Sequence, residues 1–142
     1  MRVMGVDYGD ARTGVAVSDL LCSIVGRTTV IHSRNMEKTI NQLCEIVKKE
    51  EVGEIAVGLP KNMDGSEGVR AELCREFAAK LEEATGMKVA MWDERRTTVT
   101  AHQYLNETNT RGKKRKDVVD EVAATIILES YLSWRKNHPD EE

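Results

Sequence analysis

The sequence predicts an α/β fold: a mixed five-stranded sheet, in which three antiparallel strands are followed by parallel strands, with helices on both faces. Two features of the chain lead to this prediction. The first 32 residues hold three short apolar runs separated by glycine-containing turns, a pattern typical of an antiparallel meander. From residue 36 onward, segments with helical spacing alternate with short β-rich runs, and right-handed crossovers of this kind set strands parallel to each other.

The N-terminal runs RVMGVDYG and TGVAVSD are predicted to form a β-hairpin, because only a tight glycine-containing connection separates them. The run RTTVIH (Arg27–His32) supplies a third strand. In the next stretch apolar side chains recur at i, i+3, i+4 and i+7, which predicts an amphipathic helix over Met36–Glu50 with Asn35 as its N-cap. A short buried strand is predicted at Glu54–Gly58.

Turn residues follow this strand, and Ser66 is the predicted N-cap of a second helix that ends near Thr85, just before Gly86. The run MKVAMW (Met87–Trp92) is the fifth predicted strand. A helix is predicted from Thr97 to Glu107, and a polar, basic segment follows it.

The last predicted helix runs from Val118 to Lys136. Its spacing predicts that one apolar face is buried, formed by Val119, Val122, Ala123 and Ile126. No internal repeat or linker interrupts the chain, so residues 1–137 are expected to form one domain, with residues 138–142 as a frayed tail.

The composition and charge of the chain exclude several classes of protein. With 32% charged residues and a net charge of −3, the surface is ordinary rather than that of a strongly basic protein that coats nucleic acid. No window approaches the roughly 18 apolar residues of a membrane span, so no membrane partner is expected. The N-terminus lacks a signal-peptide pattern, and we expect the protein to be cytoplasmic. The three cysteines and three histidines are too scattered to predict a zinc or redox site.

Acidic side chains occur at three points that the predicted topology could bring together. Asp7 ends the first strand, Asp93 and Glu94 follow the last strand, and Asp120 lies at the beginning of the last helix. Because ligands gather at the carboxyl ends of parallel strands, these carboxylates are expected to converge there. Clustered carboxylates repel one another unless a cation or proton intervenes, and oxygen ligands favour Mg²⁺ or Mn²⁺. Two such ions roughly 4 Å apart can activate water and stabilise the leaving oxygen of a phosphodiester.

Each acid also has a purely structural interpretation. Asp7 could bond backbone amides of the turn that follows it. Asp93 and Glu94 could cap the next helix or pair with the two arginines after them. If Asp117 is the N-cap of the last helix, Asp120 falls at N3, where an acid favours the helix dipole. The structural interpretation suffices for each acid taken alone, whereas the convergence of all three at one edge favours a metal site.

Four motifs in order, GVDYGDARTGVAVSD, VGLPKNMDGSEG, DERRTT and VDEVAATIILESYL, resemble the YqgF/RuvX family of pre-16S rRNA nucleases, which is related to Holliday junction resolvases of the RuvC type. The resemblance extends from Arg2 to about Trp134. It implies an RNase H-like fold, a cytoplasmic bacterial protein, and hydrolysis of phosphodiester bonds with two Mg²⁺ or Mn²⁺ ions. Carried over motif by motif, the catalytic and metal-binding residues are Asp7, Glu94 and Asp120.

Some assignments within the resemblance stay open. Asp93 is the alternative to Glu94, because side chains alternate along a strand and only one of two adjacent residues can point towards the site. RuvC-type enzymes carry an additional acid near the start of the last helix, for which Asp117 and Glu121 are candidates here. A DNA junction is an alternative substrate, and it would favour a two-fold homodimer. A non-catalytic scaffold in ribosome assembly and a sugar-kinase-like ATPase, whose phosphate-binding turn resembles DYGDARTG, are further alternatives.

Basic side chains are the expected nucleic-acid contacts. The segment RGKKRK, residues 111–116, holds five basic residues and is interpreted as a flexible arm that contacts phosphates, with a solvated mobile loop as the alternative. Tyr8 is the one aromatic residue next to the proposed site, but aromatic residues are too few to indicate a base-stacking platform. The predicted nucleic-acid contacts are Arg12, Lys61, Arg95, Arg96, Arg111, Lys113, Lys114, Arg115 and Lys116.

Overall fold

The structure of the protein, a computed structural model, describes residues 1–96 and 113–138, with side chains at all of these positions except 96 and 113–115. These ranges contain five strands and three helices. The strands are β1 (Arg2–Asp7), β2 (Arg12–Ser18), β3 (Val25–His32), β4 (Val52–Leu59) and β5 (Val89–Asp93), and the helices are α1 (Met36–Lys49), α2 (Val69–Thr85) and α3 (Lys113–Asn137). A single 3-10 turn, Glu94–Arg96, follows β5. The helix predicted over Thr97–Glu107 lies outside the described residues.

The five strands form one mixed sheet in the order β3-β2-β1-β4-β5. β1 pairs with β2, and β2 with β3, in the antiparallel sense, whereas β1–β4 and β4–β5 are parallel. The predicted fold class is therefore confirmed. β1 lies at the centre of the sheet, with neighbours on both sides, and its carboxyl end is at the same edge as those of β4 and β5.

Helices cover both faces of the sheet, as predicted. α1 and α2 bury residues such as Leu43 and Phe77 against one face. α3 packs on the other face, where Ile127 and Leu128 belong to the cluster that contains Val3 of β1. Because side chains alternate along a strand, residues 3, 5 and 7 of β1 point towards α3, whereas residues 4 and 6 point towards α1 and α2, as does Tyr8 directly after the strand. The Asp7 side chain is thus on the α3 face.

Two glycines let α3 approach the sheet closely. A Cβ added at Gly5 would lie 2.8 Å from the Leu128 Cβ atom, and one added at Gly14 would lie 2.1 Å from the Asp120 carbonyl oxygen. The latter distance is far below van der Waals contact, so the α3 backbone rests directly on β2 at this point. This contact fixes the position of the Asp120 backbone relative to β1 and β2.

Two predictions about the last helix were wrong. α3 begins at Lys113 rather than Val118, because the part of the basic run from Lys113 onward, which was interpreted as a flexible arm, is helical. The predicted buried set, Val119, Val122, Ala123 and Ile126, is only half-buried; the fully buried positions are Ala124, Ile127, Leu128, Tyr131 and Leu132. The buried face is displaced because the close approach to the two glycines, and not apolar periodicity alone, sets the rotation of the helix.

The helix ends show which capping predictions hold. The Asn35 side chain accepts a hydrogen bond from the Lys38 N–H at 3.0 Å, so the predicted N-cap of α1 is confirmed. Gly86 adopts the left-handed conformation at the end of α2. The Ser66 cap was wrong: Ser66 is bonded to Asp64 in its own turn, and α2 begins later, after Gly68.

Three smaller expectations can be compared with the described residues. None of the helices there is both long and apolar enough to cross a membrane. The thiols of Cys22, Cys44 and Cys74 are all free. Of the predicted frayed tail only His138 is described, and its ring stacks on Trp134 with centroids 4.9 Å apart.

Candidate active site

Two acidic side chains meet at the carboxyl edge of the sheet. Asp7 is the last residue of β1, and Glu94 comes directly after β5. β4 separates these strands, but a Cβ added at Gly58 of β4 would lie 3.0 Å from Glu94 Oε1. The missing side chain at Gly58 therefore leaves the space through which Glu94 reaches across β4 towards Asp7.

The carboxyl groups of Asp7 and Glu94 are joined by a hydrogen bond. Burial, followed by the negative charges of Glu94 and Asp120, raises the pKa of Asp7 to about 7. Burial also raises the pKa of Glu94. Asp7 is the donor and Glu94 the acceptor, because a carboxyl group with a raised pKa retains the proton that such a contact needs. The pair holds one proton where two negative charges would otherwise face each other.

Asp120 of α3 completes this group of acids, although its side chain is bonded elsewhere. Its negative charge contributes to the raised pKa of Asp7, which shows that the two carboxyl groups are close. Its Oδ2 atom accepts a hydrogen bond from Arg12 Nε at 2.7 Å. Accordingly, within residues 1–95 and 116–138 no three His, Cys, Asp or Glu side chains are arranged to hold a metal ion.

Asp93 has a different role from its neighbour. Its Oδ1 atom accepts a hydrogen bond from the Arg95 backbone N–H at 2.9 Å, and its Oδ2 atom accepts one from Arg95 Nη2 at 2.7 Å. The Arg95 side chain, by bonding to the carboxylate, lowers the pKa of Asp93 to about 2. Asp93 thus stabilises the turn after β5 by pairing with Arg95, which was one of its structural interpretations. The Arg95 guanidinium group is bonded to this carboxylate.

The candidates for a fourth acid lie against β3. Asp117 is paired with His32 Nε2 at 3.2 Å, and Glu121 accepts a hydrogen bond from Thr28 Oγ1 at 3.3 Å. The structure brings neither of them to the Asp7–Glu94 pair. The alternative of Asp117 as an N-cap is wrong, because α3 has already begun at Lys113.

Arg70, in the first turn of α2, is a residue that the sequence analysis did not identify. Its Nη1 atom is 3.0 Å from Asp10 Oδ1, and Nη2 donates a hydrogen bond to the Tyr8 carbonyl oxygen. Its positive charge lowers the pKa values of both Asp7 and Glu94, opposing the larger effect of burial. No motif or spacing in the sequence identifies Arg70 as a site residue. Its position at the start of the helix that follows β4 was the one feature from which it could have been predicted.

The remaining predicted contacts are dispersed around this edge. Lys61 lies 3.9 Å from Glu67, in the connection between β4 and α2. Lys116 is exposed in the first turns of α3, where Lys113, Lys114 and Arg115 precede it. Arg111 and the side chain of Arg96 lie outside what the structure describes.

Tyr8 is not available for base stacking. Its side chain is 7% exposed and stacks on Phe77, with ring centroids 4.2 Å apart. Tyr8 is therefore a core residue, and its ring is occupied by Phe77 rather than presented to a base.

The chemistry of these side chains fits a divalent cation. Asp7, Glu94 and Asp120 offer only oxygen donors, and the pKa of Asp7 is raised first by burial and then by the negative charges of the other two acids. Mg²⁺ is commonly bound by one or two carboxylates, with waters and substrate phosphates in its other positions. The Asp7–Glu94 pair matches that requirement once its proton is lost.

Comparison with known proteins identifies the family of this chain. A family model described as "RuvX: Holliday junction resolvase" matches residues 1–134. A protein of Halothermothrix orenii named "Putative pre-16S rRNA nuclease" is 47% identical over 135 residues, which cover 95% of this chain and 96% of the relative. A protein of the same name from Caldanaerobacter subterraneus is 45% identical, with 96% of this chain and 99% of the relative covered.

Solved structures show the same fold at low identity. T. thermophilus RuvC in complex with a Holliday junction substrate has a TM-score of 0.63 and 12% identity, with 96% of both chains covered. The fowlpox virus Holliday junction resolvase has a TM-score of 0.55 and 12% identity, with 96% of this chain and 99% of that chain covered. These likenesses concern the RNase H-like fold alone, whereas the family match and the close relatives decide the family. The chain belongs to the RuvX (YqgF) family.

Proposed function

We propose that this protein is a divalent-metal-dependent endonuclease that hydrolyses phosphodiester bonds of precursor 16S rRNA, in the processing of its 5′ end. The observation that carries the proposal is the contact between Asp7 and Glu94 at the carboxyl edge of the sheet, with the charge of Asp120 beside them. The names of the close relatives support the choice of rRNA as substrate. Such a substrate would place the activity in the cytoplasm.

Asp7, Glu94 and Asp120 would hold one or two Mg²⁺ or Mn²⁺ ions, which supply Lewis acidity and a water molecule of lowered pKa. The protein's contribution is to fix these carboxylates. Asp7 is held on the central strand, and Asp120 is held by the close contact of α3 with Gly14. The basic first turn of α3 precedes Asp120 by about one further turn of helix, so a nucleic acid bound at the acids would pass near this part of the backbone.

Hydrolysis of a Holliday junction is the second candidate function, and the description of the matching family model is the observation that favours it. A resolvase would be expected to act as a two-fold homodimer that cuts paired strands symmetrically. A four-way junction should therefore be cut into symmetrical nicked duplexes if this function is correct, and chain dimerisation should accompany it.

The proposed function is tested by incubating the pure protein with three substrates: a precursor 16S rRNA fragment, an unrelated single-stranded RNA and a four-way DNA junction. Each reaction contains Mg²⁺, Mn²⁺ or a chelator. We expect cleavage of the precursor in either metal, and none in the chelator. Asp7→Asn should abolish cleavage, whereas Asp10→Asn, which removes an exposed acid from the same turn, should leave most of it.

The outcomes separate the alternatives. Preferred cleavage of the junction would favour the resolvase. If no substrate is cut by any folded sample, a non-catalytic scaffold becomes the better explanation. Equal cleavage by the wild type and Asp7→Asn would identify a contaminating nuclease and would contradict the proposed site.

A further inference from the structure

The ion pair between Arg12 and Asp120 occupies a carboxylate that the proposed function needs for metal. Arg12 Nε is 2.7 Å from Asp120 Oδ2, and the two side chains are 34% and 16% exposed. Arg12 is the first residue of β2 and lies two residues before Gly14, so both are on the face of the sheet covered by α3. The guanidinium group therefore lies at the border between the acids and solvent.

The backbone on both sides of this pair is held in place. Gly14 pairs with Asp7 in the β1–β2 ladder, and a Cβ added to it would lie only 2.1 Å from the Asp120 carbonyl oxygen. α3 cannot slide over β2 at this point without breaking that contact. The Arg12 side chain, by contrast, is long and partly exposed, so it can leave Asp120 by rotation about its own bonds.

A metal ion and Arg12 compete for the same carboxylate. An oxygen that already accepts a short, charge-assisted hydrogen bond from a guanidinium group is a weaker donor to Mg²⁺ or Mn²⁺. A cation bound to the other oxygen of Asp120 would lie close to the positive guanidinium, which is unfavourable. Metal binding at Asp120 is therefore favoured when Arg12 moves away from this carboxylate.

We propose that Arg12 is an internal counter-ion of Asp120 that a divalent metal displaces, which makes its guanidinium group available to a phosphate of the nucleic-acid substrate. This inference rests on the proposed function, because it takes Asp120 as a metal ligand. Metal and substrate then favour the same conformation of Arg12, so that each promotes binding of the other. A guanidinium group suits the second role, because its planar donors match phosphate oxygens in pairs.

The competition is measured by calorimetric titration of Mn²⁺ or Mg²⁺ into the protein at pH 8, without nucleic acid. Arg12→Met should bind metal about tenfold more tightly than the wild type, a change of about 1.4 kcal/mol. Arg12→Lys, which keeps the charge but loses the Nε donor, should show a smaller gain and serves if Arg12→Met does not fold. Arg27→Met is the matched control, because it breaks an arginine–carboxylate pair with Glu50 elsewhere on the sheet and should change the affinity less than twofold.

A double-mutant cycle distinguishes competition at Asp120 from a general effect of charge. With Asp120→Asn already present, Arg12→Met should give no further gain in metal affinity. The inference is overturned if Arg12→Met binds metal no more tightly than the wild type. It is also overturned if the tenfold gain persists in the Asp120→Asn background, because Arg12 would then act only through its long-range field.

The phosphate contact is tested with single-stranded RNA and saturating Mg²⁺ in a Glu94→Gln background, in which cleavage is expected to be slow. Metal should steepen the dependence of log Kd on log[KCl] by about 0.7, the slope for one phosphate contact on a single strand. Adding Arg12→Met should remove this increment, and an unchanged increment would overturn the second role of Arg12. Absence of metal-dependent cleavage by the wild type would instead overturn the proposed function, and the metal titrations would still report on the competition.

Discussion

Asp7→Asn is expected to make the protein more stable at neutral and alkaline pH while it removes the activity. Asp7 has a pKa of about 7 in the folded protein, against an ordinary value of 3.8. Each pKa unit corresponds to ~1.4 kcal/mol, so ionising Asp7 in the folded state costs about 4 kcal/mol. Asparagine keeps the shape of the protonated side chain and can still donate a hydrogen bond to Glu94.

The sign of the effect follows from proton binding. Between about pH 4 and pH 7 the folded state retains a proton on Asp7 that the unfolded state has lost. The free energy of unfolding therefore falls as pH rises through this range, and above pH 7 it stays lower by up to about 4 kcal/mol. The variant lacks this loss, so its advantage should be near zero at pH 4 and should grow to roughly 2–4 kcal/mol at pH 8.

Thermal and urea denaturation at pH 4, 6 and 8, without divalent metal, measure this difference. For a chain of this length the gain at pH 8 should appear as an increase in Tm of roughly 6–12 °C. Asp93→Asn is the matched control at the neighbouring acid, and it should give no gain, because Asp93 has a lowered pKa and is paired with Arg95. Added Mg²⁺ should stabilise the wild type more than Asp7→Asn. An advantage that is absent at pH 8, or that is equal at pH 4 and pH 8, would refute the reasoning.

Three further predictions concern other parts of the site. Gly14→Ala should lower the free energy of unfolding by about 2 kcal/mol or more, because its Cβ would overlap the α3 backbone; urea denaturation measures this, and a loss below about 0.5 kcal/mol would contradict the close contact. Glu94→Gln should reduce the cleavage rate by at least ~100-fold, and Asp93→Asn by no more than ~3-fold. Single-turnover kinetics measure both rates, and equal losses would mean that the roles of the two acids are wrongly assigned. Arg70→Met should lower the cleavage rate about tenfold by releasing the turn after Asp7, whereas Arg75→Met, the control in the same helix, should change it less than twofold.

The sequence was sufficient where a periodic pattern determines the structure. Alternation along β1 places Asp7 on one face of the sheet. The same rule predicts that only one of Asp93 and Glu94 faces the site, but it does not identify which one. The parallel sense of the later strands follows from the handedness of crossovers. Side-chain alternation and strand direction are properties of the backbone, and the local sequence pattern is enough to predict them.

Side-chain partners and helix ends could not be predicted in the same way. The residues from Lys113 to Asp117 carry no apolar periodicity that would predict a helix, and the rotation of α3 depends on contacts with glycines more than 100 residues away in the chain. Arg12 and Arg70 have long side chains whose partners depend on which elements pack next to them. Spacing in the sequence does not reveal that one arginine meets Asp120 and the other meets the turn after Asp7.

The position of β5 in the sheet gives the two paired acids unequal local stability. Asp7 is on a strand with a neighbour on each side, whereas β5 is an edge strand in the part of the chain that the structure describes, where it pairs with β4. Edge strands can separate from a sheet at a lower free energy than that of global unfolding. Opening of β5 would carry Glu94 away while Asp7 stayed in place, so the nuclease would lose its activity at temperatures at which most of its backbone amides are still protected from hydrogen exchange.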